Sequence, residues 1–214
     1  MNRDRVLDRV RWAGNVAARA IGQQSVAYRP RDAWHPLAPA GAYIRLPVAF
    51  TNVSGKFDRP TGYDSGLFTG IFDSSYTQPG DYLVSGERRW FIASQDPFLP
   101  CLCVETNRHI SFARVDVRSG NGAGGYSGIT AASKSAITGL WPANMVERSA
   151  TGNGAAALPT DVAASYWTVL LPPIPTVTLA VSDHMTDDLG RDGIVVSAEL
   201  GRLGWRLIVK STTV

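Results

Sequence analysis

Two carboxylates, Asp81 and Glu87, sit within the segment QPGDYLVSGERRWFIA at residues 78–93, and a carboxylate pair at short range is what general acid/base chemistry employs. The residues between and beyond them argue for another role. Tyr82, Leu83 and Val84 lead into Ser85-Gly86, and Trp90, Phe91 and Ile92 lead out, so apolar, β-prone residues flank a glycine-containing turn as a hairpin requires. Carboxylates beside such a turn serve as solvated turn residues. On this reading Asp81 and Gly86 shape the turn, Trp90 and Ile92 share one face of the returning strand, and the hairpin is a scaffold with no catalytic residue.

The other reactive side chains form no constellation. Cys101 and Cys103 stand two apart in PCLCV, where a strand points both thiols to one face, and they read as reduced, half-buried residues. A metal would need two further ligands, and His35, His109 and His184 stand in unrelated contexts, so neither a metal nor a cofactor is expected. Gly120, Gly122 and Gly125 spell GxGxxG, but no parallel βαβ pattern follows them. Gly128, Lys134 and Ser135 approach P-loop spacing, with Ser133 where the second glycine should be. TAASKSAITGL also looks like the active-site helix of short-chain dehydrogenases, yet Thr130 holds the place of the proton-donating tyrosine and lacks a phenol's acidity. No GxSxG nucleophile elbow occurs.

These residues are carried by 214 residues with 44% hydrophobic content, six tryptophans, 21 glycines and 13 prolines. That is apolar surface enough for a core and turn formers enough to favour short strands over long helices. The formal charge of +3 comes from arginines dispersed among acids, and without a Lys/Arg block no sequence-specific nucleic-acid binding is expected. No apolar run reaches the length of about 18 residues that marks a membrane helix. Asn15 and Arg19 interrupt Val16-Ala17-Ala18 before a signal-type stretch develops, and Asp4 and Asp8 count against a transit peptide.

Along the chain, Val6, Val10, Ala13 and Ala17 recur at helical spacing, with Leu7 and Ile21 flanking the stripe and Arg3, Arg5, Arg9, Arg11 and Arg19 mostly elsewhere. One amphipathic helix is expected, stopped by Gly22, and Pro30, Pro36 and Pro39 then suit an extended arm to residue 41. The helix packs on its own domain or docks on another subunit, and in the second case Val6, Val10, Ala13, Ala17 and Arg9 form the contact. From Tyr43 the period becomes two, and strands over 43–51, 67–72, 78–93, 101–105 and 109–117 build the first half of a β-rich domain, 42–118. Residues 119–160 read as a long loop or insertion. Strands over 166–172, 176–181, 193–199 and 204–210 make a C-terminal half, 161–214, which fits the same barrel. The expected fold is mainly β: a small antiparallel β-barrel or sandwich with an N-terminal amphipathic helix and a long Gly/Ala/Ser-rich loop. Asp81, Leu83, Gly86 and Phe91-Ile92-Ala93 line up with Asp183, Met185, Gly190 and Ile194-Val195-Val196. Duplication is one reading of that match, and the shared demands of any hairpin are the other.

The helical arm, the hairpin GDYLVSGERRWFIA followed by a proline and a further strand, and the C-terminal stretches VLLP, DHMTDDLGRDGIVV and GWRL together resemble the neck proteins of tailed bacteriophages, the β-barrel connector, stopper or gatekeeper subunits. The matching positions of the family's central hairpin are Gly80, Asp81, Leu83, Gly86, Phe91 and Ile92, with a fainter match at Asp183, Gly190, Ile194 and Val196. The resemblance covers 62–115 and 167–210. It implies a structural virion component with no enzymatic activity: a homo-oligomeric ring, assembled in the bacterial cytoplasm, that joins the head portal region to the tail. Its partners would be portal or adaptor and tail proteins, not membrane, and DNA would be free to pass through the ring. The chain exceeds a minimal stopper in length, which leaves its tier in the neck open. The alternative function is a β-sandwich hydrolase or carbohydrate-binding module.

Overall fold

The computed structural model describes residues 3–52, 66–97, 99–115, 134–148 and 165–212, and these are mainly β behind one N-terminal helix. The helix, α1 (Arg3–Ile21), carries Asp4 in its first turn and Arg19 in its last, charges that complement its dipole. Gly22 ends it, donating its amide to the Ala18 carbonyl at 2.8 Å. A Cβ on Gly22 would fall 2.7 Å from the Val48 carbonyl, so only glycine lets the chain pass this close to the sheet beneath.

Six antiparallel strands follow: β1 (Gln23–Tyr28), β2 (Ala42–Asn52), β3 (Leu67–Ile71), β4 (Tyr82–Ser85), β5 (Arg88–Ser94) and β6 (Cys101–Glu105). They close into a barrel in the order β1-β2-β3-β6-β5-β4, with β4 pairing back onto β1. The second set is β7 (Arg108–Val115), β8 (Lys134–Ala136), β9 (Trp141–Arg148), β10 (Tyr166–Leu171), β11 (His184–Asp187), β12 (Asp192–Gly201) and β13 (Gly204–Ser211). These form a sheet in the order β11-β12-β13-β10-β9-β7-β8, and the further pairing of β11 with β7 closes six of its strands as well.

The two closures use the same strand order. β7 stands for β1, β8 and β9 together for β2, β10 for β3, β11 for β4, β12 for β5 and β13 for β6. The register agrees residue by residue. Tyr28 faces Tyr82 as Ala113 faces His184, and Ile92 faces Cys103 as Val195 faces Val209. A β-bulge interrupts β5 between Ile92 and Ser94, and its counterpart interrupts β12 between Val195 and Ser197. Pro47 on β2 and Pro142 on β9 also occupy equivalent places. The hairpin match read from the sequence is therefore one part of a repeat in strand order and register that spans both barrels.

Side chains that alternate along the strands fill each barrel. The first holds Ala27, Leu46, Val48, Leu83, Trp90, Ile92, Cys101 and Cys103. The second holds Ile110, Phe112, Trp141, Ala143, Trp167, Val169, Met185, Val195, Leu207 and Val209. Where the register puts Trp90 of β5, the second barrel has Gly193, and Trp167 enters from β10 to within 3.1 Å of the place a Gly193 Cβ would take. Phe68 occupies the position of Trp167 in the first barrel. Tyr82, Phe91 and Val104, which point outward from the first barrel, pack into the same apolar cluster as the second barrel's interior. The Tyr82 hydroxyl donates to the Pro142 carbonyl at 2.7 Å, and Asn144 Nδ2 donates to the Glu105 carbonyl at 2.9 Å.

Four expectations change. The chain after Gly22 is no arm: β1 pairs with both β2 and β4, and the prolines at 30, 36 and 39 lie beyond it. Residues 119–160 contain β8 and β9, whose outward Pro142 breaks no barrel closure. Residues 176–181 form no strand, because Thr176 takes a φ of 63° in a turn that follows Pro172, Pro173 and Pro175. The boundary between barrels falls between β6 and β7, so residues 161–214 close with β7 and β9 and not with β1–β6.

Candidate functional site

Each barrel holds one buried carboxylate where its hairpin begins. Asp81 precedes β4, is 1% exposed, and lies opposite Arg29 by extension of the β1–β4 register. Arg29 donates from Nε and Nη2 to the two carboxylate oxygens, both at 2.8 Å. The Gln78 amide and the Tyr43 hydroxyl add bonds of 2.9 and 2.6 Å. Asp183, also 1% exposed, repeats the arrangement before β11: Arg114 Nε and Nη2 donate at 2.7 and 2.8 Å, and the Ala180 amide at 2.7 Å. The backbone repeats too. Gly80 and Ser182 precede the aspartates at φ 95° and 75°, their amides donating to the Ile92 and Val195 carbonyls.

This geometry ties together the strands on either side of each carboxylate. Asp81 raises the Arg29 guanidinium further above its ordinary value, and burial followed by the hydrogen bond to Asp81 raises the Tyr43 phenol. Asp183 likewise raises Arg114. Arginine forks and backbone amides hold both carboxylates, and Asp81 with Arg29 also lines a cavity bounded by Gly80, Pro173 and Ile174. Glu87 is exposed in the β4–β5 turn at the far end of β4 from Asp81, and the two are not a catalytic pair. Asp81 is not a solvated turn residue either, because its partners Arg29 and Tyr43 arrive from distant sequence. Gly86 makes the turn at φ 59°, and Trp90 and Ile92, 2% and 0% exposed, point together into the barrel.

A second paired feature closes one end of each barrel. The Arg88 guanidinium lies 4.7 Å from the centre of the Trp90 ring, and the equivalent Arg191 lies 5.3 Å from that of Trp167. Each arginine is held by an acid, Arg88 by Glu105 and Arg191 by Asp187, at 2.7 Å. Burial alone would raise the Asp187 carboxyl, but the Arg191 amide and guanidinium and the Leu189 amide outweigh it and hold the group below its ordinary value.

The remaining candidates scatter. Cys101 and Cys103 are buried in the first barrel, not half-buried, and burial pushes the Cys101 thiol up to about 11 and Cys103 well above its ordinary value. Both stay protonated at neutral pH and are poor nucleophiles. Among the described residues no group of three His, Cys, Asp or Glu is placed to hold a metal. The glycines at 120, 122, 125 and 128, with Thr130 and Ser133, lie outside the described residues. Lys134 and Ser135 begin β8, a strand where the P-loop and dehydrogenase readings need a helix.

The helix offers a different kind of site. Gly14 and Ala18 face the barrel, Ala18 fully buried and Gly14 close to the Phe72 carbonyl. Of the stripe named from the sequence, Val6 and Ala17 are half-buried, while Arg9, Val10 and Ala13 are exposed. Trp12 and Val16, exposed by 69% and 47%, stand on the outer side, while Val10 and Ile21 flank the contact with the barrel and line clefts with Phe72 and with Val48 and Trp90. Trp12 and Val16 lie four residues apart and so share a side of the helix, a signal missed because the stripe was anchored on Val6.

No family model, curated protein or solved structure matches the chain. The described residues contain no helix long and apolar enough to cross a membrane.

Proposed function

We propose that the chain is a structural, non-catalytic subunit of a tailed-phage neck, assembling with copies of itself into a ring between the portal region and the tail. The observation that carries this reading is the outer side of α1: a helix fixed to its barrel by Gly14 and Ala18 presents Trp12 and Val16 to solvent, exposed by 69% and 47%. A tryptophan and a valine exposed side by side on an anchored element favour a protein contact. The hairpin that resembles the neck family supports the same reading, since its aspartate braces strands and its tryptophan fills a core. The occupied state of Asp81 and Asp183 weighs against a hydrolase built on these carboxylates.

Negative-stain imaging of the purified chain, alone and mixed with a portal protein, tests the proposal. Rings that seat coaxially on the portal are the expected result. Particles of monomer size in both samples would contradict it.

A further inference from the structure

The two barrels keep an arginine over an indole at one end, and they neutralise that arginine differently. With Tyr82 equivalent to His184, Ser85 at the end of β4 corresponds to Asp187 at the end of β11, and Arg88 to Arg191. In the second barrel the fully buried Asp187 side chain accepts from Arg191 Nε and from the Leu189 and Arg191 amides, and Arg191 Nη2 lies 2.6 Å from the same carboxylate. In the first barrel a serine stands there and brings no charge. Arg88 is held through Nε by Glu105 at 2.7 Å, and its terminal nitrogens have no hydrogen-bond partner among the described residues. Its side chain is 58% exposed, against 36% for Arg191. Beside Ser85 and Arg88 lies a cavity of about 150 Å³, bounded also by Gln23, Val48, Phe50 and Trp90, well beyond the volume one water needs. Among the described residues that line it, Arg88 alone carries charge. Two buried groups without a partner among the described residues, Ser25 Oγ and Trp90 Nε1, belong to this barrel. Trp90 lines the cavity, and Ser25 stands opposite Ser85 by extension of the β1–β4 register. Their counterparts in the second barrel, Ile110 and Gly193, bring no side-chain donor.

We propose that this end of the first barrel is a carboxylate-binding site, in which a carboxylate from outside the barrel takes the place that Asp187 fills in the second. The terminal nitrogens of Arg88 are its charged donors, and Ser85 and Gln23 add neutral ones. The Ser85 hydroxyl lies 3.3 Å from both Gln23 Oε1 and the Gln24 carbonyl, long bonds that a carboxylate oxygen can replace. Charge selects the ligand. Glu105 already offsets part of the Arg88 charge, so a group with one negative charge completes the pair where a doubly charged phosphate would be repelled. A free organic acid and an aspartate or glutamate side chain of a further copy of the chain supply the same group. The site itself requires no ring.

Thermal melting of the full chain at pH 7 tests the site, with sodium acetate as the probe and sodium chloride at the same concentration as the control. In about 0.2 M acetate the unmodified chain should melt about 2–4 °C higher than in chloride, and Arg88→Gln should lose that difference. Ser85→Asp supplies the carboxylate from the chain itself, as Asp187 does, and should lose the difference too. An unmodified chain that gains nothing from acetate, or an Arg88→Gln chain that gains as much, overturns the proposal. A folded Ser85→Asp chain that keeps the gain overturns it as well, and if that variant does not fold, the Arg88→Gln comparison decides alone. Sedimentation velocity of folded Ser85→Asp then tells the two sources apart. Association weakened by at least about tenfold assigns the carboxylate to a neighbouring copy, and association equal to that of the unmodified chain assigns it to a free acid. A chain that stays monomeric throughout removes the ring reading above and leaves the acetate result intact.

Discussion

At the residue scale the protein is organised by two buried aspartates, Asp81 and Asp183, that act as braces in the fold. Asp81 accepts from Arg29 through both guanidinium nitrogens, from Gln78 and from Tyr43, whereas Asp183 has the same fork and amide without a tyrosine. Replacing either by asparagine removes the paired charge and half of the fork. Each change should cost about 1.5–3 kcal/mol, the scale of hydrogen bonds to charged groups, because the arginine partners remain partly solvated. Urea unfolding should show Asp81→Asn costing more than Asp183→Asn, and the gap should close in a Tyr43→Phe background. A titration prediction belongs to His184, which occupies the place of Tyr82. Burial, and then the nearby Lys134, hold its imidazole below the ordinary range, so the folded protein keeps it neutral where the unfolded chain would take up a proton. Its contribution is thus present above about pH 6.5 and is lost as pH falls below that value. Unfolding measured at pH 8 and at pH 5.5 should show a smaller drop in stability for His184→Gln than for the unmodified chain.

At the element scale, what could be read in advance depended on whether a segment's own residues declared its environment. Trp90 and Ile92 alternate with Phe91 and follow a glycine turn, so β4 and β5 were legible. The helix was legible from its period and from Gly22. β1 was not: QQSVAY is mostly polar at its start, and it becomes a strand because β2 and β4 pair with it on both sides. β9 was hidden by Pro142 and by the glycine-rich composition before it, yet the missing amide of that proline faces outward where the first barrel packs. TVTLAV misled in the other direction, since β-prone residues there follow three prolines into a turn. The brace partners were invisible because Arg29 and Asp81 are joined only by strand pairing across the barrel. One prediction belongs to α1. Removing residues 1–22 deletes Ala18 and Gly22 but no strand, so the barrels should remain folded by circular dichroism. Melting should fall by about 2–4 °C for each kcal/mol of helix packing lost, and assembly should be abolished. An insoluble or unfolded truncation would instead make α1 part of the core.

At the scale of the whole molecule the chain is one barrel written twice, and each copy fills its interior by a different route. In the first, Trp90 on β5 stands with Phe68 on β3; in the second, Gly193 on β12 stands with Trp167 on β10. The arginine over the indole is kept in both, as Arg88 and Arg191. If the barrels are equivalent, Gly193→Trp should destabilise by more than about 1–3 kcal/mol, the usual cost of overpacking, because Trp167 already fills the space. Adding Trp167→Phe should recover part of that loss, and a double-mutant cycle should show coupling of at least about 0.5 kcal/mol. Additive losses would mean that the two interiors are not interchangeable.

The central claim is that this duplicated, braced scaffold exists to present surfaces to further copies, and the most direct measurement is a cryo-electron-microscopy reconstruction of the purified full chain. The account predicts closed rings in which Trp12 and Val16 of α1 are buried between neighbouring molecules. Isolated monomers, or rings that leave this side of α1 in solvent, would contradict it.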